Sequence, residues 1–266
     1  DFKKTALDWF KTYDSKHPGV LNLKTRGEFC LGGHIKLVRK MSHPFNQYTF
    51  NPLETRYVFE HKGWRKVIGF HTRNVIHRAH EHIQLKALTD YFADGLFVHP
   101  LIGPKRKFDF SPGMIIKSYE IMINDYYPKG QVLFSAFPCY PRYAGPREAV
   151  FTAICRKNYG CSHFIVGRDH SGVGQFNEPT EAKDLFEYLK SGLGIEPIYF
   201  DQVHYCRKCK TYVEKCNHSN KNMMAISASR VREIFKDGDK PENWLMRDKI
   251  SEMIMKSMMN NEDVFV

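Results

Sequence analysis

From residue 64 onward, short apolar runs alternate with stretches whose apolar positions recur at helical spacing. RKVIGF (65–70) reads as a buried strand and HRAHEHIQLKALTDYF, after it, as a helix. GLFVHPLIG (95–103) repeats the strand pattern and GMIIKSYEIMINDYY the helical one. QVLFSAF (131–137) and PREAVFTAICRKN (146–158) form a third pair, HFIVGRD (163–169) and EAKDLFEYLKSG (181–192) a fourth. The strand runs are short and rich in β-branched and aromatic residues, whereas the helical stretches are long enough for three turns or more. Strands alternating with helices predict right-handed crossovers and a mostly parallel, Rossmann-like sheet. In such sheets ligands sit beyond the carboxyl ends of the strands.

The ends of the chain read differently. Residues 1–53 carry HPGVLNL and LGGHIKLVRK, which look like short strands and turns at the end of a β-rich domain. Residues 54–200 make the α/β domain, and residues 201–266 a small C-terminal subdomain. That subdomain has a Cys/His loop and two helical stretches, SASRVREIFKDG and PENWLMRDKISEMIMKSMM. No internal repeat or low-complexity segment is visible. The N-terminus, DFKKTALDWF, has neither an initiator Met nor a signal-peptide apolar core, as expected of a processed or cut end. No run of roughly 18 apolar residues occurs, so no membrane span is expected.

Composition narrows the partners. The chain is 42% hydrophobic and 14% aromatic, which is globular rather than disordered. Its net charge of +11 favours anionic partners. The basic residues are dispersed, without an RNA-recognition or helix-turn-helix signature, so nucleotides and inorganic oxyanions fit better than nucleic acid. Seven cysteines, an odd number spread widely, point to a reducing compartment and hence the cytoplasm.

The two richest polar clusters, 71–80 and 167–174, both follow predicted strands. In FHTRNVIHRAH, His77 and His80 lie three apart at a helix start and share one face. The helix start adds unpaired N–H groups suited to phosphate. Arg73 can grip an oxyanion bidentately, and Asn74 can donate to a phosphate oxygen. The plain alternative is a basic helix cap with surface histidines. VGRDHSGVG places Gly167, Gly172 and Gly174 where backbone can approach a ligand, with Arg168 and His170 adding positive charge. Taken alone it also fits a tight turn with a surface pair between Asp169 and Arg168. In RYAGPREA, Arg142 and Arg147 face either the same anion or solvent.

Cys206 and Cys209, with two residues between them, are followed by Cys216 and His218, a donor set that suits tetrahedral Zn²⁺ in a structural role. His204 is an alternative fourth ligand, and three free thiols in a loop the plain reading. Cys30, Cys139, Cys155 and Cys161 lie in apolar surroundings and read as core residues. A P-loop, a Gly-x-Ser-x-Gly elbow and a dinucleotide fingerprint at the first strand are all missing, which disfavours the functions they carry.

GWRKVIGFHTRNVIHRAHEHIQ resembles the signature of the ATP sulfurylase (sulfate adenylyltransferase) family, usually Gln-Thr-Arg-Asn-Pro-x-His-x-x-His. PLETRYVF, DGLFVHPLIG, PRYAGPREAVFTAICRKNYGC, FIVGRDHSGVG and ISASRVREIF match in the family's order. HPGV and LGGHIKL resemble the end of its N-terminal β-rich, PUA-like domain, most of which has no counterpart here. The resemblance implies an α/β nucleotidyltransferase domain that turns MgATP and sulfate into adenosine 5′-phosphosulfate and pyrophosphate. Attack on the α-phosphorus is in line, with no covalent enzyme intermediate. Sulfate is a poor nucleophile, so positioning and charge neutralisation carry such catalysis.

By the same resemblance, Arg73 would hold sulfate, with Thr72 and Asn74 completing the loop around the reacting phosphates. His77 and His80 would contact the β- and γ-phosphates, Gly167, Arg168, Asp169 and His170 the nucleotide, and the Ser171 backbone sulfate. Arg232 would approach from the C-terminal subdomain. The Cys/His loop resembles a zinc site of some members, and the family commonly forms homo-oligomers. His71 stands where the family has a sulfate-binding Gln, Val75 replaces Pro, Pro141 Met and Ser171 Ala, and Ala228 and Ser229 replace Gly and Thr. Two other readings follow: a related nucleotidyltransferase whose acceptor has drifted with His71, and a zinc-stabilised basic module that binds nucleotide or nucleic acid without turnover.

Overall fold

The computed structural model describes residues 1–27, 29, 31–39, 42–167 and 180–266. Near the N-terminus lie α1 (Phe2–Phe10) and α2 (Pro18–Thr25). HPGVLNL, strand-like by its pattern, instead forms α2. His17 caps that helix by accepting from Gly19 and Val20 N–H, and Pro18 occupies the first turn, where its missing N–H costs nothing. Residues 31–39, the other expected strand, have no regular structure. The β-rich remnant is therefore not confirmed: the described residues before 46 contain no strand.

α3 (Pro52–His61) opens with a capping box between Asn51 and Glu54 and leads into the sheet. The units then run β1 (Val67–Phe70), α4 (Arg78–Asp90), β2 (Gly95–Val98), α5 (Pro112–Asp125), β3 (Val132–Phe134), α6 (Gly145–Asn158), β4 (His163–Val166), α7 (Glu181–Leu193) and β5 (Glu196–Tyr199). All four ladders are parallel and the strand order is β3-β2-β1-β4-β5. The mostly parallel α/β sheet is thus as expected, with one strand more. β5 is an edge strand that tolerates Pro197, a residue that argues against strand in a linear reading.

Residues alternate between the two faces of the sheet. Ile68, Leu96, Val98 and Ile165 join Met114, Ile115 and Tyr119 of α5 on one face. Val67, Phe97, Phe164 and Val166 join Ala149 and Ala153 of α6 and Phe186 of α7 on the other. Both faces are dry, which is why these strands read as continuous apolar runs. Each fully buried side chain of this size stabilises the fold by roughly 1.5–3 kcal/mol.

The C-terminal part holds β6 (His204–Cys206), β7 (Thr211–Val213) and β8 (Met223–Ala225) in an antiparallel β7-β6-β8 sheet, then α8 (Ala228–Lys236) and α9 (Asp248–Met259). α9 is shorter than expected. Residues 241–247 form a turn that carries Leu245 and Met246 into the core, and Leu245 O accepts from Arg78 N at 3.0 Å. Val231, Phe235, Ile250 and Ile254 share one apolar cluster with α5, so this part packs directly on the parallel sheet's helices. Among the described residues no helix is long and apolar enough to cross a membrane.

Candidate active site

The chain leaves β1 toward β2 on one side and returns through β4 on the other, so the loops after β1 and β4 part company at a switch point. A cavity of about 330 Å³ opens there, within the range of small-molecule sites. The loop after β1 lines it with His71, Thr72, Arg73 and Asn74, and α4 adds His77, His80 and Ile83. Phe70, Leu101 and Ile165 supply apolar lining, Gly167 closes the β4 side, and Pro141 and Glu148 border it. Across the opening stands the start of α8, with Ala228, Ser229 and Arg232. The starts of two helices, α4 and α8, thus meet one cavity, and both bring partial positive charge.

His77 is the N-cap of α4. Its Nδ1 accepts the His80 backbone N–H at 3.3 Å, so a neutral ring carries its proton on Nε2. Burial lowers its pKa to about 4 and pulls that of His80 well below the usual value, the latter also because His77 lies beside it. The two rings stack at 3.8 Å between centroids. Both are neutral at pH 7 and act as hydrogen-bonding groups rather than fixed charges. His80 Nδ1 and Asn74 Oδ1 are buried with no partner among the described residues. Such orphans are costly in a finished core and expected in a site shaped for a ligand.

The fixed charge comes from arginine. Arg73 lies 5.4 Å from the centre of the Tyr143 ring, and burial lowers its pKa while the nearby Asp109 carboxylate raises it. Lys105, on the loop after β2, donates to Arg73 O at 3.3 Å and Phe110 O at 3.1 Å. Burial lowers its pKa to about 7, with Asp109 opposing and Arg73 reinforcing the shift. Asp109 is almost fully buried and pairs with Arg232 of α8, which also donates to Ser229 Oγ at 3.2 Å. Arg232 is therefore held at the cavity edge by a carboxylate from the parallel-sheet domain.

Glu148, Asp109 and Lys105 also belong to the site, though no spacing in the sequence marks them. Glu148 sits at the start of α6, where its carboxylate accepts from Arg142 N at 2.8 Å and Ala144 N at 3.2 Å, bracing the loop before the helix. Arg142 does not line this cavity. It lies over the Phe151 ring at 4.2 Å and the Tyr140 ring at 4.7 Å. Arg147 is 5.8 Å from the Trp9 ring and also lies outside the cavity lining. Arg78, the second arginine of the histidine-rich stretch, serves the fold: with Arg247 it clasps the buried Glu81 carboxylate at 2.9 and 2.5 Å. Arg168, Asp169, His170 and Ser171 lie outside the described residues, and of that motif only Gly167 is seen at the cavity.

The four expected metal ligands come together away from this cavity. Cys206 ends β6, and Cys209 follows a tight turn that closes with its N–H 3.5 Å from Cys206 Sγ. Cys216 and His218 arrive from the loop after β7. The sulfurs of Cys209 and Cys206 lie 3.6 and 3.7 Å from that of Cys216. His218 Nδ1 is 3.3 Å from Cys209 and Cys216 and 3.5 Å from Cys206. All four ligand atoms lie within 4.8 Å of one another, an arrangement compatible with a bound metal ion. His204 is directed elsewhere, its Nδ1 3.1 Å from Gln202 O.

A five-stranded parallel sheet with a donor-lined cavity at its switch point defines an α/β domain of the nucleotidyltransferase kind. The model of the ATP-sulfurylase family matches residues 46–257, and the chain belongs to that family. It is 44% identical over 251 residues to the sulfate adenylyltransferase of Pyrococcus abyssi, covering 94% of this chain and 65% of that protein. With the sulfate adenylyltransferase of Ignicoccus hospitalis the identity is 44% over 263 residues, covering 98% of this chain and 67% of that protein. The chain thus spans about two thirds of the length of these curated relatives. Among solved structures, the "Hexameric APS kinase from Thiobacillus denitrificans" shares the fold, with a TM-score of 0.65 at 21% identity over 84% of this chain and 42% of that one.

Proposed function

We propose that this chain is the catalytic portion of a sulfate adenylyltransferase: ATP and sulfate bind in the switch-point cavity, and a sulfate oxygen attacks the α-phosphorus to release pyrophosphate. The observation that carries the reading is the cavity lining. Arg73, Asn74, His77, His80 and the starts of α4 and α8 form a rim of donors around one space, and among the described lining residues only Glu148 is acidic. That carboxylate already accepts two backbone N–H groups. Such a surface suits a polyanion beside a second, weaker oxyanion.

In this account Arg73 holds the sulfate and stabilises charge that develops between it and the α-phosphate. Thr72 Oγ1 accepts the Asn74 N–H at 3.2 Å, which shapes the loop so that the Asn74 side chain meets the reacting phosphates. His77 donates from Nε2 to the β- and γ-phosphates with His80 beside it, and Arg232 reaches the same phosphates from α8. Gly167, Arg168, Asp169 and His170 hold the nucleotide, and the Ser171 backbone helps hold sulfate. Mg²⁺ would come with ATP and would neutralise phosphate charge; among the described lining residues the one carboxylate, Glu148, already accepts backbone N–H groups.

The Cys206, Cys209, Cys216 and His218 cluster would hold Zn²⁺ as a structural ion. Zinc–sulfur bonds of about 2.3 Å and zinc–nitrogen bonds of about 2.0 Å give tetrahedral edges of roughly 3.8 and 3.5 Å, close to the separations found. Hydrogen bonding from the Cys209 N–H lowers the Cys206 pKa to about 6, whereas the sulfurs of Cys216 and Cys206 push the Cys209 thiol up to about 11, so a bound cation would be needed to hold both as thiolates.

The test is pyrophosphate release from ATP with sulfate present. Arg73→Ala should lower turnover by about a hundredfold or more, the scale of one lost transition-state donor, while its melting curve stays cooperative. Wild-type release with another oxyanion but none with sulfate would instead support the nucleotidyltransferase of altered acceptor.

A further inference from the structure

Beneath the acceptor loop lies a buried arginine that the function above does not use. Arg156 of α6 has no exposed surface, and no carboxylate pairs with it among the described residues. Its stem crosses β1 at Gly69, where an added Cβ would come within 2.9 Å of Arg156 Cγ. The absent side chain is what lets the arginine pass to the carboxyl end of the strand. There Nη2 lies 2.5 Å from His99 O and 2.8 Å from His71 Nδ1, and the guanidinium rests 4.6 Å from the centre of the Phe137 ring. An isolated buried cation is costly, so its retention calls for a local use.

A guanidinium has only donors. Where it meets His71 Nδ1, that nitrogen must present its lone pair, and a neutral ring then carries the proton on Nε2. His71 lines the cavity, with Arg156 on its buried side. We propose that Arg156 is a positioning residue: it holds His71 as the Nε2–H tautomer, acceptor end inward and donor end toward the acceptor oxyanion. A glutamine at this position would be polarised the same way, its carbonyl on Arg156 and its amide N–H₂ on the anion. The identity of the anion rests on the adenylyl-transfer reading, whereas the tautomer does not.

The experiment is long-range ¹H–¹⁵N spectroscopy of the histidine rings in the full chain at neutral pH, with His71 assigned by its loss in His71→Gln. The wild type should show His71 protonated at Nε2 and bare at Nδ1. In Arg156→Met the His71 signals should move toward a tautomer mixture. The KM for sulfate should rise about tenfold, the scale of one hydrogen bond, with the KM for ATP little changed. Arg156→Lys, which keeps a donor, should recover part of both effects. His71→Gln should lose less sulfate turnover than His71→Leu. A wild-type His71 protonated at Nδ1, or at both nitrogens, overturns the proposal, and so does an Arg156→Met protein with tautomer and sulfate KM unchanged. If Arg156→Met does not fold, the wild-type and Arg156→Lys spectra decide the question. Absence of pyrophosphate release with any oxyanion would sink the catalytic reading alone, because the spectrum tests the tautomer independently.

Discussion

Replacing Glu81 by alanine should cost about 3 kcal/mol of stability. The residue is 5% exposed and its carboxylate takes four contacts, from Arg78 Nη1 at 2.9 and 3.0 Å and from Arg247 Nε and Nη2 at 3.1 and 2.5 Å. Removing one member of a buried ion pair costs roughly 3–5 kcal/mol, because the partner charge is left uncompensated. Here two arginines would be stranded, but each has other support. Arg78 keeps Tyr212 Oη at 2.7 Å, and Arg247 keeps the Tyr126 ring at 4.3 Å. Their side chains are 15% and 28% exposed, so water reaches them in part. Those reliefs place the loss at the low end of the range. For a chain of this size it corresponds to a fall of roughly 5–6 °C in melting temperature. Urea unfolding and calorimetry of Glu81→Ala measure it. The control is Lys86→Ala, which breaks an exposed helix pair with Asp90 and should cost less than about 0.5 kcal/mol. If Glu81→Ala is no worse than this control, the clasp is not holding the C-terminal part on α4.

Two further outcomes test the site and the metal cluster. His77 has a folded-state pKa of about 4 against an ordinary 6.5, so as pH falls through 6.5 the unfolded chain takes up a proton that the folded one refuses. Its contribution to stability is present above pH 6.5 and is lost between 6.5 and 4, by at most about 3 kcal/mol. Asparagine can still cap α4, so His77→Asn should show a shallower acid decline in urea midpoints between pH 7 and 4; identical slopes in the two proteins would count against the buried neutral imidazole. For the cluster, a strong chelator or Cys209→Ser should release close to one zinc per chain and lower the melting temperature. A chain purified metal-free with unchanged stability would remove the structural-ion reading.

What a linear reading captures here is set by whether the deciding contacts are local. Four strands were legible because both sheet faces are buried and the runs are continuously apolar. β5 was hidden by Pro197, which only the edge position excuses. HPGVLNL is too short for periodicity to separate strand from helix, and the deciding signal was the cap, His17 followed by Pro18. The same distinction runs through the site. Thr72, Arg73, Asn74, His77 and His80 stand within nine residues, and the cavity gathers all five. Asp109, on the loop before α5, and Glu148, at the start of α6, act through contacts no spacing encodes. Arg156, near the end of α6 beside Lys157, has the look of a solvated helix terminus. Only the sheet packing, with Gly69 beneath it, shows that it points inward.

The central claim is that a sulfate oxygen becomes the bridge to the α-phosphorus of ATP while pyrophosphate leaves. Incubation with MgATP and sulfate labelled with ¹⁸O at all four oxygens, with the products resolved by mass spectrometry, tests it most directly. The account predicts adenosine 5′-phosphosulfate carrying all four labels and pyrophosphate carrying none. Label in the pyrophosphate, or ATP consumption that yields no adenylylated sulfate, would contradict it.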